Sequence, residues 1–479
     1  MSCTHLIPRL EVLVGAGAVS TDPAVLDEVN ADMTENPEGT AEVSVAVADL
    51  EQLKAVVCLA AEHGVPLTPR VAGTNLGGLT LAARGGIVLD MRPMRRIVEL
   101  DLDNMLAVVE PGVTFEDLKA ALDEREPRLT IGFPLSPPDT SVAANCLLDG
   151  LGNLSLQHGA MGEWVSGLEV VRADGSLLRT GAWALGVPVP FGRAPFPDLS
   201  GLFLSLQGTT GIVSKLVVQL WPAPAFRARS FVLAYDRAAT MRALRDLPRL
   251  DVLSDMGGLS WPTGKMLFGV EHPKERDPEE PEFFFYLDIG AASEGLLEEK
   301  KRVVLRYLQE LRSGGLRIED PLDLPTLLRL EPRFQRLAEF PTRLDFLLDH
   351  PDGGLTWVGT YGPLSRFERA TELGIAVVER HGFPPMIVAR PMKGGHYAVL
   401  RFIEVFKRRD AADRKRVADC NTELCDVLRE EGFVMYKTPA WAVSRYRDHL
   451  DPGFARLLKE AQMLLDPQSI MNPGRWALG

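Results

Sequence analysis

Residues 69–78 read Pro69-Arg70-Val71-Ala72-Gly73-Thr74-Asn75-Leu76-Gly77-Gly78, and the fold turns on how this stretch is understood. Three glycines stand with Thr and Asn in ten residues, directly after a short β-rich run. Glycine lets the backbone take positive φ and lie close to a ligand. Successive backbone N–H groups in such a turn form an anion-binding nest, and Thr and Asn side chains add donors. A pyrophosphate suits that surface. No Gly-Lys-Ser/Thr follows, so this is not a P-loop, and no GxGxxG opens a helix here. Taken alone, the segment also reads as an ordinary glycine-rich turn.

Upstream, residues 41–74 predict a short strand, a helix and a second short strand. The helix starts after Asp49, an N-cap, and carries apolar residues at Leu50, Leu53, Val56, Val57 and Ala60, which is helical spacing. Gly64 supplies its stop. Downstream come strand-like GGIVLDM (85–91) and LAVVEPG (106–112), then a helix from Thr114 through Leu122. Short strands and glycines continue to the breaker cluster Pro222-Ala-Pro224, which marks a domain boundary. The pattern is α+β and not a regular βαβ alternation. Beyond it, MLFGVEH (266–272) and FFFYLDIG (283–290) read as strands joined by a polar, acidic loop. Helices are expected at 294–312, 364–382 and 413–432, and a strand at 398–406. The run 223–430 thus predicts an antiparallel sheet backed by helices. Four segments are expected: a helical arm over 1–36, a domain over 37–224, a second domain over 225–430, and a closing segment over 431–479.

The chain has 479 residues, 46% hydrophobic and 24% charged, with a net charge of −13. That balance disfavours a nucleic-acid binder, which needs a basic face. No window approaches the roughly twenty apolar residues that span a bilayer, and no secretory signal is visible. Cys3, Cys58, Cys146, Cys420 and Cys425 form neither a disulfide framework nor a metal-ligand spacing, and the histidines form no ligand cluster. A cytoplasmic protein with reduced thiols and no metal is the expectation.

Three further segments stand out. Small residues cluster in Asp139-Thr140-Ser141-Val142-Ala143-Ala144-Asn145 and in Asp149-Gly150-Leu151-Gly152-Asn153, where a flat ring could lie against backbone. In 166–181, Ala173-Asp174-Gly175 sits between two strand-like runs, a hairpin signal. In 202–224, Gly208-Thr-Thr-Gly211 precedes a strand.

In this order and spacing, these elements resemble the FAD-binding domain of the vanillyl-alcohol oxidase and 4-cresol dehydrogenase (PCMH-type) superfamily, which also contains D-lactate and glycolate dehydrogenases. The C-terminal LLDPQSIMNPGRW resembles the family's closing signature. The resemblance implies a PCMH-type FAD-binding domain with an antiparallel-sheet-plus-helices cap, completed by the C-terminal segment. It implies that Pro69 to Gly78 hold the FAD diphosphate and that Pro111 and Gly112 line the cofactor. Thr140, Ser141, Ala144 and Asn145 would lie near the isoalloxazine and ribityl chain. Gly211, Ile212 and Val213 would meet the adenine end, and Asn472 would close the site.

The hydroxyacid branch's HxGDGNxH signature is absent. The alkylphenol branch is resembled at Asn145 to Gly152, Gly359 to Pro363, Arg390-Pro-Met392 and Gly432 to Thr438. In that branch a Tyr and an Arg bind the substrate phenolate, and hydride leaves the carbon attached at the para position for flavin N5, giving a quinone methide. Here Tyr436 and Lys437 occupy those places. Lysine keeps the charge and loses the planar fork. A second phenolate-binding Tyr of the branch falls at Leu76. Covalent flavin attachment in that branch uses a cap-domain His or Tyr; an ungapped match puts Lys393 or Gly394 at the usual histidine place, and a small shift puts His396 there. Asp139, or else Asp149, matches the family's base near N5, and Arg390 joins the catalytic set.

The expected activity is oxidation of a hydroxylated aromatic (a 4-alkylphenol or an aryl alcohol) by FAD. The alternatives are a D-2-hydroxyacid dehydrogenase, in which Arg390 and Arg401 clamp a carboxylate, and a flavin-binding, non-catalytic subunit of a larger complex. Expected partners are a small-molecule substrate, an electron acceptor (a protein, oxygen or a quinone) and a second copy of the chain.

Overall fold

The computed structural model describes residues 3–476 except 127, 268–276, 278, 331, 333–334 and 336–352. A four-stranded sheet opens the chain: β1 (Val19–Ser20), β2 (Val43–Ala46), β3 (Leu67–Arg70) and β4 (Ile87–Asp90), in the order β1-β2-β4-β3. β2 and β3 both run parallel to β4, so a crossover must join them. The helix Leu50–His63 is that crossover. The Asp49 carboxylate accepts from the Gln52 N–H, Gly64 ends the helix in the left-handed region (φ 61°), and Leu53, Val56, Val57 and Ala60 are buried. The expected N-terminal arm is more than an arm. β1 pairs with β2, and Leu6 and Leu10 share a core with Val56 and Leu67.

A five-stranded antiparallel sheet follows: β5 (Ile97–Asp101), β6 (Leu106–Val109), β8 (Val165–Val171), β9 (Leu177–Arg179) and β10 (Ile212–Gln219), ordered β5-β6-β10-β8-β9. Two short strands, β7 (Leu129–Thr130) and β11 (Trp221–Pro222), pair beside it. The helix Phe115–Asp123 buries Phe115, Leu118 and Leu122 against this sheet. Thr114 and Asp117 close its first turn as a reciprocal capping box.

The third sheet has eight strands: β12 (Phe226–Ala234), β13 (Asp255–Ser260), β14 (Phe283–Ala291), β15 (Leu322–Asp323), β16 (Gly353–Gly362), β17 (Ile387–Met392), β18 (Tyr397–Lys407) and β19 (Val434–Met435). Their order is β15-β12-β14-β13-β17-β18-β16-β19. The period of two sorts each strand into two faces. Val232, Phe285, Leu287, Ala389, Leu400 and Phe402 face a helical layer in one core. Phe231, Leu259, Phe284, Tyr286, Val388 and Ile403 gather on the other side.

One strand expectation is corrected here. Met266 and Leu267 end a helix (Trp261–Leu267), and 268–272 lie outside the described residues. The strand paired with β14 is β13, Asp-Met-Gly-Gly-Leu-Ser, which has too few apolar side chains to show a period. Its glycines are required by packing. A Cβ at Gly257 would fall 2.4 Å from the Tyr286 ring, and one at Gly258 would fall 2.9 Å from Phe285.

After the helix Pro452–Leu465 the chain returns to the first sheet. Leu67 N–H donates to the Ile470 carbonyl and Asn472 N–H to the Leu67 carbonyl, both at 2.7 Å.

Candidate active site

The loop after β3 is shaped by its own side chains. Asn75 Oδ1 accepts from the N–H groups of Gly77 (3.2 Å) and Leu79 (2.9 Å). Gly73 has φ 72° and Gly78 φ 65°, so both need glycine's conformational freedom. A Cβ at Gly73 would also fall 2.7 Å from the Arg70 guanidinium. Folded this way, Val71, Ala72, Gly73, Thr74 and Asn75 form one wall of a chamber. Thr140, Ser141, Ala144 and Asn145 form another, from the turn and helix (Val142–Leu147) that Ser141 caps. An adjoining chamber is lined by Pro69, Arg70, Pro111, Gly208, Gly211, Ile212, Val213 and Asn472. Val71, Thr80, Ala144 and Leu148 line both, so the two make one long trough. Asn472 (φ 40°) ties its end, donating from Nδ2 to the Gln207 carbonyl at 2.7 Å. Ser136 Oγ, Thr140 Oγ1 and Gln207 Oε1 line the trough, buried and without a partner. Buried polar groups are normally satisfied, so these three call for a polar occupant.

Three expected loop residues lie elsewhere. Leu76 is buried against Phe231, Phe284 and Tyr286 of the third sheet and lines neither chamber. Gly77 backs onto Lys437, whose carbonyl would lie 3.2 Å from a Cβ, and a Cβ at Gly78 would meet the Asn36 side chain at 2.8 Å. Gly112 is a packing glycine, since a Cβ there would fall 2.3 Å from the Arg92 carbonyl oxygen.

The trough opens onto a third chamber under the eight-stranded sheet. Its walls come from a row across the strands: Phe284 opposite Leu259, Leu259 opposite Val388, Val388 opposite Arg401, and Arg401 opposite Gly359. Trp357, Val388, Arg390 and Arg401 line both this chamber and the trough, while Tyr436 and Lys437 line the trough side. The chamber and its mouth together hold about 830 Å³ of atom-free space, part of it open to solvent.

The polar groups at the junction are tightly held. Arg401 Nη2 donates to Tyr436 Oη at 2.5 Å, and its guanidinium lies over the Trp357 ring at 4.2 Å. Tyr436 stacks on Tyr361 with centroids 4.5 Å apart, and Tyr361 Oη donates to the Asp149 carbonyl at 2.6 Å. Gly359 makes room for this: a Cβ there would lie 3.0 Å from Tyr436. Arg390 Nη2 donates to Asp255 at 2.7 Å and to the Gly152 carbonyl at 2.9 Å. Lys437 faces the enclosed space, and burial, reinforced by Arg401, pulls its pKa down to about 8. Burial also pushes the Tyr361 hydroxyl well above its ordinary range, so it stays a neutral donor.

A family model described as an FAD binding domain matches residues 41–181. Over 98% of its length the chain is 24% identical to the 4-cresol dehydrogenase [hydroxylating] flavoprotein subunit of Pseudomonas putida, covering 94% of that protein. It is 29% identical to glycolate oxidase subunit GlcD of Bacillus subtilis over 219 residues, 45% of this chain and 44% of that one, so it spans less than half the length of that relative. The solved structure of p-cresol methylhydroxylase with substrate bound has the same fold, with a TM-score of 0.85 at 20% identity over 98% of this chain and 96% of that one. Residues 41–181 thus form an FAD-binding domain, and the whole chain shares the fold of p-cresol methylhydroxylase.

The trough fits the FAD that the matched domain is described as binding: it is long, lined by backbone and small residues, and carries the three unanswered polar atoms named above. Two expected site residues are not brought to it. Asp139 is an exposed turn residue between Pro138 and the Ser141 cap, and lines none of the three chambers. His396 is exposed after a turn in which Lys393, Gly394 and Gly395 all have positive φ. The turn brings the next residue inward instead: Tyr397 Oη accepts from the Ala160 N–H at 3.0 Å. Asp149 points its carboxylate at Ser205. Sequence reasoning missed Tyr286, Trp357 and Arg229, and saw Arg401 without its bond to Tyr436. The available signal was a polar or charged residue inside an apolar strand, as in FFFYLDIG and AVLRFIEVF. Among the described residues no helix is long and apolar enough to cross a membrane.

Proposed function

We propose that the protein is an FAD-dependent oxidoreductase whose substrate is a hydroxylated aromatic, oxidised at the first carbon of the substituent para to the hydroxyl. The observation that carries this reading is the group at the junction of trough and chamber. A tyrosine hydroxyl is fixed by an arginine at 2.5 Å, and a partly neutralised lysine stands beside it. A phenol has a pKa of about 10 in water. A lysine near 8 can take that proton as a neutral amine and then face the phenolate as an ammonium, in a largely buried setting that strengthens the pairing. Tyr436 donates a second hydrogen bond to the phenolate oxygen, while Arg401 keeps the tyrosine oriented. Phe133, Phe284 and Trp357 supply apolar walls for the ring. Bound FAD would supply the two-electron acceptor for the hydride that leaves the para substituent. The trough residues hold that cofactor: Val71 to Asn75 and Thr140 to Asn145 at one end, Gly208 to Val213 and Asn472 at the other. The similar 4-cresol dehydrogenase chain is named a flavoprotein subunit, which supports an acceptor protein as a partner here.

The test is anaerobic mixing of FAD-loaded protein with 4-ethylphenol and, separately, with D-lactate. Bleaching of the flavin by the phenol is the expected result. Bleaching by D-lactate alone overturns the reading.

A further inference from the structure

The reading above uses one end of the substrate chamber. Tyr436 and Lys437 line only the side next to the trough, whereas Arg229, Asp255 and Tyr286 line only the far side; Arg390 and Arg401 line both. The far side is built by neighbouring strands, with Phe231 opposite Tyr286 on β12 and β14.

Three polar atoms on this wall are buried and have no partner: Tyr286 Oη, Arg390 Nε and Arg401 Nε. All three can donate, and the two arginine nitrogens can do nothing else. Tyr286 is 9% exposed and Arg390 3%. Burial pushes the Tyr286 hydroxyl above its ordinary range, so it remains protonated. The fixed charges lean the same way. Arg390 pairs with Asp255, while Arg227 and Arg229 share Asp288. No carboxylate among the described residues forms an ion pair with Arg401. Leaving buried donors unanswered is costly. A neutral alkylphenol would answer none of it at this end. A carboxylate brings two acceptor oxygens and one negative charge, the group an arginine fork binds best.

We propose that the substrate carries a carboxylate in addition to its aromatic hydroxyl, and that Tyr286, Arg390 and Arg401 hold that carboxylate at the far end of the chamber. The proposal rests on the hydroxyaryl reading and narrows it to hydroxyaryl acids. Arg401 then joins the two ends, through Nη2 to Tyr436 and through Nε to the acid.

The test compares two probes that differ only in the terminal group, 4-ethylphenol and 3-(4-hydroxyphenyl)propanoate, by anaerobic titration of the flavin absorbance of the FAD-loaded protein. The acid is expected to half-saturate at a concentration at least about tenfold lower, the size of one charge-assisted hydrogen bond. Tyr286→Phe is expected to bring the ratio of the two half-saturations down toward one, with Tm held near the parent value. Equal or tighter binding of 4-ethylphenol overturns the proposal and leaves the hydroxyaryl reading standing. So does a ratio that Tyr286→Phe does not move. If neither phenol bleaches the flavin and D-lactate does, the hydroxyaryl reading falls first and takes this proposal with it. The parent protein's own ratio decides the matter even if the variant fails to fold.

Discussion

The trough and the chamber beneath the eight-stranded sheet lie side by side and share walls, yet they are built by opposite means. The trough takes short continuous stretches (71–75, 140–145, 207–213) and presents backbone and small side chains. The chamber takes one or two residues from each of several strands, from Arg229 on β12 to Ile403 on β18, and presents rings and charged heads. A cofactor with one unvarying shape is served by backbone geometry. A substrate is selected by side chains that can change without moving the scaffold. The lesson is that one boundary, the line through Arg390, Arg401 and Trp357, separates a site made of backbone and small residues from one made of rings and charged heads.

The comparison can be broken most severely on the trough side. Gly73→Val puts a branched side chain at φ 72°, against the Arg70 guanidinium. FAD content, read as the visible-to-ultraviolet absorbance ratio, should fall to less than about a tenth of the parent's. Circular dichroism should still show a folded chain. Retention of FAD would mean that the loop does not cradle the cofactor.

Next in size is Tyr436→Phe, which removes a donor and leaves the ring stacked on Tyr361. With a phenol substrate, kcat/KM should fall about 10²-fold with FAD content unchanged. Lys437 gives a finer reading through pH. With the lysine near 8 and the phenol near 10, the productive complex holds one proton between them. Hence kcat/KM should rise with pH through about 8 and fall again through about 10. Lys437→Arg stays charged and must wait for the phenolate, so its rising limb should move up to about 10. An unmoved limb would place the titration elsewhere.

The smallest effect lies on the other face of the same sheet. Glu404 is fully buried on β18, and neither carboxylate oxygen has a partner. Burial, then the charge of Glu35, holds its pKa well above the ordinary carboxyl value. The folded state therefore keeps a proton that the unfolded chain releases first, and stability declines as pH rises above the unfolded carboxyl's range. Glu404→Gln should raise Tm by a few degrees at pH 8, with the gain gone near pH 4. Flavin reduction should be untouched, because residue 404 faces the helices while 401 and 403 face the chamber.

How far the sequence could be read follows the same boundary. The helix Leu50–His63 has its Asp49 cap and Gly64 stop where the pattern puts them, and the hairpin at Ala173 to Gly175 joins β8 to β9. The Tyr436–Lys437 pair was visible as a motif and stands at the chamber's edge. Asp139 and His396 were read from motif position alone. They fall on exposed turns, because a one-residue rotation in a turn decides whether a side chain points in or out. β13 went unseen because a strand packed under two aromatic rings must give up its own side chains.

By itself, then, the sequence determined the FAD-binding half: its glycines, caps and hairpin turns act over a few residues, and the φ angles and hydrogen bonds they impose belong to the chain locally. The tertiary structure alone decided the chamber. Phe284, Leu259, Val388 and Arg401 meet only through strand register across long sequence separations, and no local preference encodes which residue will stand opposite which.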